Sequence, residues 1–161
     1  MRTNNEKIKN VIISVYFILI VLAILLATVF SAFKHLSPNP FLTFVILAVV
    51  FVGLFLLVHR ISKYFEYDSD GPQVVIINRG LLLADYLNYR EQKAEFARQN
   101  LTAFKFKNWL LFKQLTVYYV SNHGHKRKDT FNVTLVPKKK RKYIRQSLSK
   151  MIKDNKKNTT I

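Results

Sequence analysis

The sequence predicts a membrane α-helical hairpin followed by a small α+β domain, an antiparallel sheet or partial barrel closed by a C-terminal helix. Three observations predict it. Residues 11–33 and 41–58 contain no charged side chain. Residues 64–136 break into short runs of β-branched and aromatic residues separated by turn formers. Ile144, Leu148, Met151 and Ile152 then recur at helical spacing.

As helices rising ~1.5 Å per residue, the two uncharged runs reach ~34 Å and ~27 Å, against a hydrocarbon core of ~30 Å. Their polar residues (Ser14, Tyr16, Thr28, Ser31, Thr43) are uncharged, and Ser and Thr return their hydroxyls to the helix backbone. A cleaved signal peptide is the alternative for the first run, and the basic start (Arg2, Lys7, Lys9) suits one. The run is too long for a signal core of ~7–15 residues, however, and no small-x-small site precedes Lys34. A buried helix of a soluble domain is the alternative for the second run; its length and its partner favour a hairpin. The connection, residues 34–40, holds Pro38 and Pro40, which lack the N–H a continuing helix needs. Orientation follows from Lys and Arg. Arg2, Lys7, Lys9, Arg60 and Lys63 flank the outer ends, against Lys34 alone in the connection. Both termini are therefore expected in the cytoplasm of a multi-pass protein of the cell (inner) membrane, residues 1–10 forming a cytoplasmic N-terminal segment.

The formal charge of +17 is concentrated at the end of the chain. Residues 121–161 carry thirteen Lys or Arg against two acids, whereas residues 64–120 nearly balance. A block of that sign seeks polyanions: anionic lipid headgroups, an acidic protein surface or nucleic acid. For a chain held at the cytoplasmic leaflet, headgroups are the polyanion always within reach. The chain has no cysteine, which removes thiol catalysis and disulfides.

In the domain, residues 64–67 read as a strand closed by the turn formers of 68–72. Residues 74–77 follow, with Asn78-Arg79-Gly80 expected to turn the chain; 81–89 and 94–98 are further strands. Phe104 and Phe106 alternate with Lys105 and Lys107, as in a half-buried strand. Residues 115–120 are expected to pair with 130–136 across a polar connection, 121–129. Pro137 suits the first turn of a helix over 138–153, and 154–161 is expected to be a flexible basic tail.

Two apolar helices, then Tyr64-Phe65-Glu66-Tyr67-Asp68-Ser69-Asp70-Gly71, strands and a closing helix: this order resembles the small bacterial membrane proteins with a cytoplasmic pleckstrin-homology-like domain. The resemblance covers residues 1–153 in architecture. Members of that group carry a Trp-(Ser/Asp)-Asp-Ile-like segment after the third or fourth strand, and Phe96-Ala97-Arg98-Gln99-Asn100-Leu101 is similar in pattern. Phosphoinositide binders of the wider fold use basic residues in the first strand-to-strand loop. Here that loop is Asp68-Ser69-Asp70-Gly71-Pro72, which is acidic, so inositol-phosphate binding there does not carry over.

The candidate anion- or lipid-binding residues are Lys126, Arg127, Lys128, Lys138, Lys139, Lys140, Arg141, Lys142 and Arg145. Such runs are usually solvated faces. The second run, however, occupies a helix start, where the macrodipole disfavours cations by ~0.3–1 kcal/mol each and a bound anion relieves the conflict. Residues 130–136, as a strand of ~3.3 Å per residue, would hold the two runs ~23 Å apart. Trp109, Phe112, Tyr118 and Tyr119 interleaved with Lys107 and Lys113 suit base stacking, yet aromatics at strand spacing also build cores. His123-Gly124-His125 supplies two imidazoles where a metal needs three or four ligands, and reads as a hairpin loop. With no catalytic triad, phosphate loop or nucleotide fingerprint, the chain reads as non-enzymatic and without a cofactor.

Overall fold

The computed structural model describes residues 1–30, 39–81, 91–121 and 124–159. The elements in chain order are β1 (Arg2–Asn4), α1 (Lys9–Phe30), α2 (Pro40–Ile61), β2 (Lys63–Asp68), β3 (Gln73–Gly80), β4 (Gln92–Ala97), β5 (Leu101–Asn108), β6 (Lys113–Val120), β7 (Lys126–Asn132) and α3 (Lys138–Thr159). They form two compact units, one of residues Lys7–Ser62 and one joining Met1–Glu6 to Lys63–Ile161.

The first unit is a helix pair. Each helix is 22 residues, long and apolar enough to cross a membrane. Tyr16, early in α1, meets Phe55, late in α2, edge to face with ring centroids 5.2 Å apart, so the helices run antiparallel. Most of their apolar side chains are uncovered by protein, Phe17 and Phe41 among them. Ser14 donates to the Asn10 carbonyl at 3.0 Å and Thr28 to that of Leu25 at 2.9 Å, which satisfies both hydroxyls within the helix. The second helix runs longer than its apolar stretch. Asn39 caps it by accepting from the Leu42 N–H, Pro40 takes the first turn, and Ser62 ends it with its N–H on the Val58 carbonyl. Residues 31–38, which include the end of the first expected helix and most of the expected connection, lie outside the described residues.

In the second unit the strands form two antiparallel sheets, ordered β1-β2-β3-β4 and β5-β6-β7, with no closed barrel among the described residues. Phe65, Tyr67, Val74, Ile76, Ala94 and Phe96 face inward from the first sheet, and Leu101, Leu115, Val117, Tyr119 and Phe131 from the second. Phe96 stacks on Tyr119 with centroids 4.4 Å apart, which packs the inner faces together. Ile144, Leu148 and Met151 of α3 complete this core, as their spacing predicts, with Ile152 partly buried against it. The Tyr67 and Ser147 hydroxyls bond at 2.9 Å, so the polar tip of a buried tyrosine is satisfied by the helix.

Four expectations need correction. The N-terminal segment is not separate from the domain: β1 pairs with the edge of β2, Arg2 opposite Asp68 and Asn4 opposite Glu66. Asn5 fastens the join, its side chain accepting from the Phe65 N–H at 2.8 Å and donating to the Lys63 carbonyl at 3.0 Å. Asn78-Arg79-Gly80 do not turn; they extend β3 opposite Phe65, Tyr64 and Lys63. Asn78 is buried there, its amide bonded to Tyr64 and Asn132. The return strand begins at Lys126, not Thr130, and stops at Asn132. At the ends of the polar connection the Ser121 N–H bonds the His125 carbonyl and Gly124 takes φ +79°, a left-handed geometry suited to glycine; Asn122 and His123 lie outside the described residues. Beyond Asn132 the Lys113 N–H bonds the Thr134 hydroxyl at 2.9 Å rather than a backbone carbonyl, and the chain turns through residues 133–137. Finally, residues 154–159, expected as a flexible tail, are the last turns of α3. Asn155 holds them by donating to the carbonyls of Arg98 and Leu101 at 2.9 and 3.0 Å. The strand expected over 81–89 falls almost wholly outside the described residues.

Candidate functional site

The two expected basic runs are built differently. Lys126-Arg127-Lys128 lie on β7, so their side chains alternate between the faces of the sheet. The register sets Leu115 opposite Phe131, Val117 opposite Asp129 and Tyr119 opposite Arg127. That row faces the core, so Arg127 and Asp129 sit at its solvent end. The Tyr119 hydroxyl donates to Asp129 Oδ2 at 2.7 Å, and its pKa is pushed up to about 12 by burial first and by this bond and the carboxylate charge second. The other row sets Thr116 opposite Thr130, Tyr118 opposite Lys128 and Val120 opposite Lys126, and faces away from the core, its lysines exposed, Tyr118 and Val120 half-buried and Thr116 buried between its neighbours. Lys128 reaches over the Tyr118 ring, 5.9 Å from its centroid.

Strand β5 adds to the outward row. Lys105 lies opposite Thr116 and Lys107 opposite Gln114, while Phe104 and Phe106 turn to the core. Lys105, Lys107, Lys126 and Lys128 therefore share one sheet face, with uncharged Gln114, Thr116 and Tyr118 between them. The three strands contain one acid, Asp129, and it belongs to the inner row. No acidic side chain among the described residues pairs with these lysines. The outward face of the other sheet is the contrast. There Arg2 pairs with Glu66 at 2.9 Å and Lys93 with Glu95 at 2.7 Å, and Arg79 lies over the Tyr64 ring. One sheet neutralises its charges and the other leaves them unopposed. Lys105 and Lys107 were readable only as a strand signature; their alternation with phenylalanines was the signal that put them on an outward face.

The helix-start run is partly consumed by the fold. Lys140 Nζ donates to the Asn4 carbonyl at 2.6 Å, which ties α3 to β1. Arg145 lies over the Phe106 ring, 5.1 Å from its centroid. The Arg141 guanidinium has its pKa lowered by burial and by neighbouring Arg145. Lys138, Lys139 and Lys142 remain exposed, and the first turn carries no acid. Because α3 packs on the core side of the β5-β6-β7 sheet, its run and the four-lysine face do not merge into one patch. The expected ~23 Å strand between the runs is replaced by the end of β7 and a turn.

Compared with models of known protein families, with curated proteins and with solved structures, the chain matches none.

Proposed function

We propose that this protein is a membrane-anchored, non-enzymatic module that presents a basic, pleckstrin-homology-like domain to anionic headgroups of the cytoplasmic leaflet. In this reading α1 and α2 span the inner membrane and both termini are cytoplasmic. The pairing of β1 with β2 supports it: these strands flank the hairpin in sequence, so the two outer ends of the hairpin belong on one side of the membrane. The positive-inside count supports that side being the cytoplasm.

The observation that carries the binding reading is the unopposed face of Lys105, Lys107, Lys126 and Lys128. An exposed lysine near an anionic surface contributes up to ~1 kcal/mol, so four supply up to ~4 kcal/mol, about a thousandfold in affinity, and the attraction weakens with salt. A second reading rests on Lys138, Lys139 and Lys142, a separate exposed group at a helix start, which suits docking of an acidic protein while the sheet face meets lipid.

The test uses a soluble domain that keeps β1. Asn5 already bonds Lys63, so a short Gly/Ser linker can replace residues 7–62 between Glu6 and Lys63. The domain should sediment with anionic liposomes at low salt, release as salt rises and ignore neutral ones. Replacing the four lysines with Gln should abolish most of that binding, whereas Gln at Lys138, Lys139 and Lys142 should leave most of it. Indifference to anionic liposomes at low salt would remove the lipid reading.

A further inference from the structure

The turn between β5 and β6 is Trp109-Leu110-Leu111-Phe112, closed by a bond from the Trp109 N–H to the Phe112 carbonyl at 2.7 Å. Hairpin turns ordinarily use Gly, Asn, Asp and Pro, because tight backbone geometry and contact with water suit them. This one uses four apolar residues and projects three of them: Trp109 is 68 % exposed, Leu110 100 % and Leu111 50 %, with Phe112 half-buried. Lys107 and Lys113 stand at the strand ends beside them, with Lys105 one step back on the outward row. The two sheets already have a complete core, so the tip is not a displaced part of it.

We infer that the Trp109–Phe112 tip is a wedge that enters the lipid interface, seating Trp109 at headgroup level and Leu110 and Leu111 among the upper acyl chains. Tryptophan and leucine flanked by lysines is the composition that settles at a membrane surface, the ring at the boundary and the cations on phosphates. Charge complementarity selects lipid as the occupant, since Lys107 and Lys113 flank an apolar tip whose two strands contain no acid. Connectivity agrees: the domain is joined to the apolar helices through Asn5–Ile8 on one strand and Ser62 alone on the other, so a bilayer is always within reach. The inference rests on membrane anchoring and adds to the lysine face a hydrophobic component that salt does not screen.

Trp109 is the only tryptophan in the chain, so its fluorescence reports the tip alone. The full-length protein would be reconstituted in nanodiscs of mixed neutral and anionic lipid, with and without bromine on the acyl chains. Insertion predicts blue-shifted emission, strong quenching by brominated lipid, and protection from aqueous acrylamide. The double change Leu110→Asp with Leu111→Asp, at positions too exposed to matter for folding, should restore red-shifted emission and remove the bromine quenching. Solvent-like emission with no bromine quenching in the unaltered chain overturns the wedge. Protection from acrylamide without bromine quenching also overturns it and identifies a protein partner or second copy. The two readings fail separately. Salt-sensitive liposome binding with an unquenched Trp109 keeps the lysine face and loses the wedge. Bromine quenching that is indifferent to anionic content keeps the wedge and loses the face.

Discussion

Changing Asn78 to Ala removes the side chain that fastens one sheet to the other. Asn78 Nδ2 donates to the Tyr64 carbonyl at 2.8 Å and to the Asn132 carbonyl at 3.2 Å, and Asn78 Oδ1 accepts from the Asn132 N–H at 3.1 Å. The amide thus stands in for a stretch of backbone, offering a donor and an acceptor to the end of β7. Asn78 is 8 % exposed, so water replaces little of what is lost. A net hydrogen bond contributes ~0.5–1.5 kcal/mol, and a buried group left unsatisfied costs ~1–3 kcal/mol. Stability of the β3–β7 corner should fall by about 2–4 kcal/mol. Amide hydrogen exchange on the full chain in detergent reads this directly, and β7 amides that exchange by local opening should accelerate about 30- to 1000-fold. Asn78→Asp keeps the acceptor but loses the donor and buries a charge, so it should be at least as damaging. Exposed Asn158→Ala is the control and should leave β7 unchanged. If Asn78→Ala leaves β7 exchange within a factor of about three, the sheets are not held by this amide and the reasoning fails.

Three further outcomes are expected. Leu148 is fully buried and Lys150 exposed, so Leu148→Asp should destabilise the domain by about 3 kcal/mol or more and open it to protease, while Lys150→Asp is tolerated; equal resistance of both variants would remove α3 from the core. Tyr119 holds its proton up to about pH 12, above the ordinary value of 10.0, so its contribution to stability is complete below pH 10 and is lost as pH rises through 12; absorbance titration should show a late phenol that titrates earlier in Asp129→Asn. A reporter fused after Ile161 should be cytoplasmic and one inserted at Asn39 external, and an external C-terminal reporter would overturn the orientation.

Features set by neighbours along the chain were legible in the residues. Two uncharged runs announce two long helices, and the i, i+4, i+7 spacing of Ile144, Leu148 and Met151 announces the buried stripe of α3. Phe104 and Phe106 alternating with lysines announce β5. What went unread depends on partners far away in sequence. Arg2–Asn4 is too short and polar to read as a strand, and becomes one only because β2 offers an edge more than sixty residues later. Asn78-Arg79-Gly80 has the composition of a turn, and stays extended because β2 pairs it opposite Phe65, Tyr64 and Lys63, while Asn132, fifty-four residues away, satisfies the Asn78 side chain.

The candidate site divides along the same line. Charge concentration in the last quarter of the chain was plain from the residues, and so was the basic run that opens α3. Its division was not: Lys140 is taken up by the Asn4 carbonyl and Arg145 by the Phe106 ring, both contacts made across the fold. The four-lysine face exists only through register, which sets Lys105 and Lys107 of β5 and Lys126 and Lys128 of β7 on one side of β6. Side-chain period along one strand is a local property, but which strands lie side by side, and in what register, follows from hydrogen bonds between distant segments. The sequence by itself determined two apolar helices, a basic C-terminal quarter and an amphipathic last helix, because these need only near neighbours. The tertiary structure alone decided that β1 belongs to the domain and that Lys105, Lys107, Lys126 and Lys128 share one sheet face.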